Sequence, residues 1–355
     1  MKLDKKNKKS PYIVAGPCSA ESESQILETA RLIKDNIDIY RAGIWKPRTN
    51  PGSFEGVGKR GLQWLNKVQQ ELNIKVATEV ATPKHVELCL NSGIDALWIG
   101  ARTTVNPFYV QEIAEALKGV DIPIFVKNPI HPDIALWIGA IDRLNKNGVK
   151  KITAVHRGFF TYELSAYRNE PKWEIPIDLK RRMPELPIIC DPSHITGNRN
   201  MILEVAQTSM DLDMDGLMIE THMFPDLALS DSKQQINPDK LRMILNSLIY
   251  RNRANNNTAL NQELTSLRKS IDRIDSKIVT LLSERTDLVK EIAISKLEYE
   301  LTIFQLNRWF EILTTRKNLA KKLSVDPKMI SDIYEMIHKY SILTQSQLMK
   351  KEHEE

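Results

Sequence analysis

Over roughly the first 250 residues, short β-rich apolar runs alternate with amphipathic stretches. The runs are YIVAGPC (12–18), IDIYRAGIWK (37–46), IKVATEVAT (74–82), IDALWIGA (94–101), IPIFVKN (122–128), KITAVHRG (151–158), LPIICDPS (186–193) and DGLMIETH (215–222). Between them lie helix-patterned segments such as SQILETARLIKDN, KRGLQWLNKVQQELN and PKHVELCLNSG, and PDKLRMILNSLIY (238–250) follows the eighth run. Eight β/α units of this size and order predict a (β/α)8 TIM barrel of the α/β class. A doubly wound open sheet is the alternative. It needs a topological switch point, and its usual Gly-rich phosphate turn after the first strand is missing.

The pattern changes at RNRANNNTA (251–259), a polar, Asn-rich stretch that reads as a linker. Beyond it, Leu264, Leu267, Ile271, Ile274, Ile278 and Leu281 recur at three- and four-residue steps, which predicts one long amphipathic helix. A second helix fits roughly 305–323, and Asp326-Pro327 opens a third. The predicted organisation is a barrel over 1–250, a linker over 251–259 and an all-α three-helix domain over 260–355. A long apolar stripe with so little chain around it is expected to pack against a second copy, giving a homodimer.

Composition narrows the function classes. With 42% hydrophobic and 27% charged residues, disorder throughout is excluded. No apolar stretch approaches the ~20 residues that span a bilayer, and the basic start has no apolar h-region, so neither membrane insertion nor a signal peptide is expected. The three cysteines are far apart, which argues against a disulfide framework and fits a reducing cytoplasm. The net charge of +5 is compatible with anionic metabolites and does not point to nucleic acid. The run Lys2, Lys5, Lys6, Lys8 and Lys9 reads as a solvated tail.

In a barrel, chemistry sits where the strands end. Two sets of ionisable residues stand there. Lys46, Arg48, Arg102, Lys127 and Arg157 are cations on five strand ends, suited to a ligand with several negative charges, such as a sugar phosphate or phosphoenolpyruvate. Cys18, His194, Glu220 and Asp231 make a plausible site for a divalent transition metal. Cys89 and Cys190 read instead as core residues.

The motifs GPCSAES (16–22), RAGIWKPRT (41–49), GAR (100–102), VKNP (126–129), HRG (156–158), DPSH (191–194), LMIETH (217–222) and ALSD (228–231) resemble, in order, those of the 3-deoxy-D-arabino-heptulosonate 7-phosphate (DAHP) synthases, in the compact type I subgroup that includes the octulosonate-phosphate synthases. The resemblance implies that Cys18, His194, Glu220 and Asp231 bind the metal (Mn, Fe, Co or Zn). It implies that Arg102, Lys127 and Arg157 hold phosphoenolpyruvate, with Lys46 between the substrates as general acid, that Arg48 and Thr49 meet erythrose 4-phosphate, and that Arg41 is a further substrate-binding residue. The octulosonate branch typically has an Ala-Asn-Arg-Ser-type segment after the equivalent lysine, whereas this chain has Pro47-Arg48-Thr49. Asn128-Pro129 departs from the Arg-Gly common at that place, and Met223 from a common Pro.

Residues 258–348 resemble the all-helical chorismate mutases, most clearly in SLRKSIDRIDSKIVTLLSER (266–285) and SILTQ (341–345). The resemblance implies that Arg268 and Arg285 bind carboxylates, Arg268 in the partner's site. It implies that Arg308 orients chorismate, that Lys296 and Gln345 donate to its ether oxygen, and that Ser341 completes the site. Gln305 and Trp309 replace acids common in that family, so recognition of the substrate hydroxyl is expected to differ. The implied activity is bifunctional: condensation of phosphoenolpyruvate with erythrose 4-phosphate, and rearrangement of chorismate to prephenate. The alternatives are a helical domain that only senses ligand, or an octulosonate-phosphate synthase. With the first strand near the start of the sequence, the helical domain is the expected regulatory appendage, inhibiting the synthase when chorismate or prephenate binds.

Overall fold

The computed structural model describes residues 11–46, 52–162, 165–251 and 258–351. The chain divides into two compact units, Met1–Arg253 and Ala254–Glu355.

The first unit is a closed barrel of eight parallel strands in sequence order: β1 Tyr12–Gly16, β2 Ile39–Arg41, β3 Lys75–Val80, β4 Ala96–Ile99, β5 Ile124–Lys127, β6 Ile152–His156, β7 Ile188–Cys190 and β8 Gly216–Glu220. Each lies inside one of the eight apolar runs. β1 closes the barrel on β8, with Val14 opposite Met218 and Gly16 opposite Glu220. The helices are α1 Glu23–Ile33, α2 Arg60–Leu72, α3 Pro83–Asn91, the short α4 Ala101–Thr104, α5 Pro107–Ala116, α6 Ile134–Lys146, α7 Glu174–Arg182, the short α8 Pro192–Thr196, α9 Ile202–Asp211 and α10 Pro238–Ser247. Their starts follow from local chemistry. Ser22, Thr82, Asn106, Asp133, Asp191 and Asn237 accept backbone N–H groups as N-caps, and Pro opens α3, α5, α8 and α10.

Alternation along the strands builds two cores. Outward residues such as Ile13, Leu97, Val126 and Ile188 pack under the helices, where Cys89 on α3 and Cys190 on β7 are buried as core residues. Inward residues Val14, Ile39, Ala77, Trp98, Phe125, Val155, Ile189 and Met218 fill the barrel. Two residues further along each strand, the inward-facing phase meets Gly16, Arg41, Glu79, Gly100, Lys127, Arg157, Asp191 and Glu220. The same period that plugs the barrel with apolar side chains thus places a layer of charge on the plug. Both glycines make room for it. A Cβ on Gly16, whose φ is +147°, would lie 2.2 Å from the Arg41 carbonyl oxygen, and one on Gly100 would lie 2.2 Å from Glu79 Oε1.

The second unit has three helices among its described residues: α11 Thr258–Glu298, α12 Leu306–Lys322 and α13 Pro327–Lys351. The stripe Leu264, Leu267, Ile271, Ile274, Ile278 and Leu281 is exposed in the single chain, with Ile274 at 57% and Leu281 at 62%. Among the described residues, no helix is long and apolar enough to cross a membrane.

Candidate functional site

A cavity of about 320 Å³ opens at the C-terminal end of the barrel, walled by Lys46, Arg102, Lys127, Arg157, Arg168 and Asp231 among others. Each cation is held by its neighbours. Lys127, at the end of β5, donates to Asp191 Oδ2 at 2.8 Å. Lys46 Nζ donates to the Cys18 carbonyl oxygen at 3.1 Å and stands 3.8 Å from Glu79 Oε2. Burial pulls Lys46 down, but Cys18, Glu79 and Glu220 outweigh it and leave its pKa raised, so the ammonium is charged. Burial lowers Lys127. Arg157 Nη1 donates to Asn169 Oδ1 at 2.7 Å. Burial, with Arg168 and Arg102 adding to it, pulls Arg157 down to about 10. A buried guanidinium crowded by cations is what an anionic ligand relieves.

Asn128, one of the two departures from the related barrels, has a local role. Its side chain accepts from the Arg157 N–H at 2.7 Å and donates to the Pro129 and Gly158 carbonyls, each at 2.8 Å. It therefore ties the end of β5 to the residue that presents Arg157.

Of the four expected metal ligands, Cys18, Glu220 and Asp231 offer ligand atoms that all lie within 4.8 Å of one another. Cys18 Sγ is 3.4 Å from Asp231 Oδ2. His194 stands beside this trio, with Nε2 3.6 Å from Glu220 Oε1. Asp191 brings it there: as N-cap of α8 it accepts the His194 N–H at 3.1 Å, and its Oδ2 lies 2.8 Å from His194 Nδ1. Burial pushes the Cys18 thiol up to about 12, with Glu220 adding to the effect. Burial and the two carboxylates disfavour the Cys18 thiolate until a cation joins them. One sulfur, two carboxylates and an adjacent imidazole fit a divalent transition metal.

Arg41 is fully buried beneath the cavity. Its Nη2 donates to Glu220 Oε1 at 3.2 Å, and its guanidinium lies 4.7 Å from the centre of the Trp98 ring. Its Nε and Nη1 find no hydrogen-bond partner among the described residues. Arg48 and Thr49 lie outside the described residues. Three groups that the sequence did not single out join the site. Arg168 and Asn169 come from the loop after β6, and Gln234 from the loop after β8.

In the helical unit, Arg285 Nη1 donates to Ser341 Oγ at 2.7 Å, and Ser341 Oγ donates to the Ile337 carbonyl. Gln345 is buried one turn further on and donates to the Ser341 carbonyl, while its Oε1 has no partner among the described residues. Lys296 Nζ donates to the Ile303 carbonyl, and burial lowers its pKa. Trp309, in place of an acid, stacks on His338 with centroids 4.1 Å apart and planes 14° apart. His338 Nε2 is buried without a partner among the described residues. Burial, then Arg285 and Lys296, lower the His338 pKa, so this imidazole is neutral and belongs to the same electrostatic cluster. Arg308 is turned outward to Glu311 at 2.7 Å, and Arg268 is exposed on the N-terminal half of α11.

Residues 5–252 match the DAHP synthetase I family, and residues 267–346 match chorismate mutase type II. The phospho-2-dehydro-3-deoxyheptonate aldolase of Thermotoga maritima is 30% identical over 229 residues, covering 63% of this chain and 64% of the relative, so the chain spans just under two thirds of that protein's length. The 2-dehydro-3-deoxyphosphooctonate aldolase of Legionella pneumophila is 29% identical over 261 residues, covering 67% of this chain and 90% of the relative. The crystal structure of the Thermotoga maritima DAHP synthase superposes with a TM-score of 0.62 at 26% identity, covering 69% of this chain and 70% of the other. The chain belongs to the DAHP synthetase I family through its barrel and carries, fused behind it, a region of the chorismate mutase type II family.

Proposed function

We propose that the chain is a bifunctional shikimate-pathway enzyme. The barrel condenses phosphoenolpyruvate with erythrose 4-phosphate and water to DAHP and phosphate, water adding to the former enol carbon as phosphate leaves, and the helical unit rearranges chorismate to prephenate. The observation that carries the first activity is one cavity walled by Lys46, Arg102, Lys127, Arg157 and Arg168, with His194 and Asp231 also in its wall and Cys18 and Glu220 grouped with Asp231. The cations bind the phosphate and carboxylate of phosphoenolpyruvate and fix its methylene carbon against the aldehyde. Arg41 keeps two donors for a ligand group beneath the cavity. Lys46, held charged, delivers a proton to the aldehyde oxygen as the new carbon–carbon bond forms. Cys18, His194, Glu220 and Asp231 would hold a divalent metal, whose chemistry when bound is to polarise that aldehyde as a Lewis acid.

Erythrose 4-phosphate is preferred to arabinose 5-phosphate on the sequence Pro47-Arg48-Thr49 and on the fused mutase-type region. The deciding experiment supplies each aldehyde to the purified chain with phosphoenolpyruvate and follows phosphate release. Turnover with arabinose 5-phosphate alone would replace this reading with an octulosonate-phosphate synthase.

For the mutase, Arg285 binds a carboxylate, Lys296 and Gln345 donate to the ether oxygen as charge develops on it, and Arg308 turns from Glu311 to orient the substrate. The exposed stripe on α11 supports a homodimer in which Arg268 serves the partner's site. We also infer feedback: chorismate or prephenate bound to the helical unit lowers synthase activity, since both lie downstream of the barrel's product.

A further inference from the structure

We propose that Gln234, with Arg168, is a positioning device for the metal ligands of the barrel. The inference rests on the metal site proposed above and goes beyond its ligand set. Gln234 is 1% exposed, and both ends of its carboxamide are used. Its Nε2 donates to Glu220 Oε2 at 2.7 Å, and its Oε1 accepts from Arg168 Nη1 at 2.6 Å. The same Arg168 nitrogen donates to Asp231 Oδ1 at 3.0 Å. The amide's orientation is dictated by its partners: a guanidinium only donates, and an ionised carboxylate only accepts. One neutral side chain thereby links two ligand carboxylates through one arginine. Asp231 Oδ1 is taken by Arg168, which leaves Oδ2 facing Cys18 Sγ.

The neighbouring residue repeats the device on the third ligand. Gln235 Oε1 accepts the Cys18 N–H at 3.0 Å, and its Nε2 donates to the Ser230 carbonyl at 2.8 Å. Consecutive glutamines in the loop after β8 thus fix the Glu220 side chain and the Cys18 backbone. Asp231, three residues earlier, sits at φ +48°, a left-handed conformation that a non-glycine residue keeps only when its surroundings hold it. Arg168 is packed against Gly197, which has no side chain to displace it.

The test uses the full chain stripped of metal and titrated with Co²⁺, read by the near-ultraviolet absorption of a thiolate–cobalt bond. Gln234→Met keeps length and removes both hydrogen bonds. It should weaken Co²⁺ binding about 10–100-fold, the usual effect of losing an outer partner of a metal ligand, while the thermal midpoint of the metal-free protein stays near wild type. Arg168→Met, at a half-exposed position, should weaken binding on the same scale and carries the test if Gln234→Met fails to fold. If the two residues form one chain, the double variant binds no more weakly than the worse single variant. Unchanged Co²⁺ affinity in either single variant, or strictly additive losses, overturns the relay. Absence of the thiolate band in wild type overturns the metal site on which it rests.

Discussion

Glu79 stands between Lys46 and Gly100: its Oε2 lies 3.8 Å from Lys46 Nζ, and its Oε1 fills the space that a Cβ on Gly100 would need. The pair fixes where the proposed proton donor points. Lys46→Met should therefore lower kcat of the condensation by about 10²–10⁴-fold, the range for a lost general acid, with Co²⁺ binding retained. Gly100→Ala should act in the same direction and more weakly, by displacing Glu79. Steady-state kinetics of the two variants check this, and wild-type kcat in Lys46→Met would remove Lys46 from the chemistry.

The metal assignment predicts that Cys18→Ser lowers bound metal and condensation together, while mutase activity stays near wild type. Cys18 contributes the soft donor of the trio, and serine is a poorer ligand for a transition ion. Metal analysis and both assays on one sample provide the check. A condensation rate indifferent to a chelator would reject the role of the trio.

For the helical unit, Arg285→Ala removes a guanidinium that is already positioned by Ser341 Oγ at 2.7 Å. The expected cost is about 2 kcal/mol or more in kcat/KM for chorismate, the scale of a lost charge-assisted contact. His338→Phe keeps a ring to stack on Trp309 but loses the buried Nε2, so a smaller fall, mainly in KM, is expected if that nitrogen meets substrate. Unchanged mutase kinetics in Arg285→Ala would move the site elsewhere.

The barrel was legible because its information is periodic. Alternation set both the apolar plug and the charged layer above it, so Lys127, Arg157 and Glu220 stood out at strand ends. The unnoticed residues have no such phase. Arg168, Asn169 and Gln234 come from loops, where polar side chains are the rule, and only the folded path of the chain brings them to the ligands. β2 shows the same limit: the run 37–46 yields only Ile39–Arg41 as strand, with Gly43 adding no more than an isolated bridge to Ser19. In the helical unit, His338 carries no signal in the sequence pattern; the fold stacks it on Trp309 and sets it in the field of Arg285 and Lys296.

His156 predicts an acid limit to barrel stability. It is fully buried, with its ring 5.1 Å from that of Trp173, and burial followed by Arg157 brings its pKa down to about 3 from 6.5. Between these two values the unfolded chain binds a proton that the folded chain refuses. Stability therefore falls as pH drops below about 6.5, by up to about 1.4 kcal/mol per pH unit for one group, and this contribution to the loss is complete near the folded pKa. Denaturation of wild type and His156→Phe across pH 4–7 should give a shallower slope for the variant. Parallel slopes would show that His156 is not a source of the acid sensitivity.

Feedback is the prediction that joins the two units. A ligand shifts an equilibrium only through unequal affinity for its two states, so inhibition by prephenate requires tighter binding to the less active form of the synthase. Reciprocity then fixes a second observable: saturating phosphoenolpyruvate should weaken prephenate binding by the same factor by which prephenate weakens phosphoenolpyruvate binding. Calorimetric titration of each ligand with and without the other measures both factors. Arg285→Ala should weaken the inhibition in step with mutase activity while leaving uninhibited condensation near wild type. Deleting residues 258–355 should abolish it, since the barrel has its own closed sheet and core. If the truncated barrel is still inhibited by prephenate to the same degree, the ligand acts on the barrel itself and the helical unit is not the sensor.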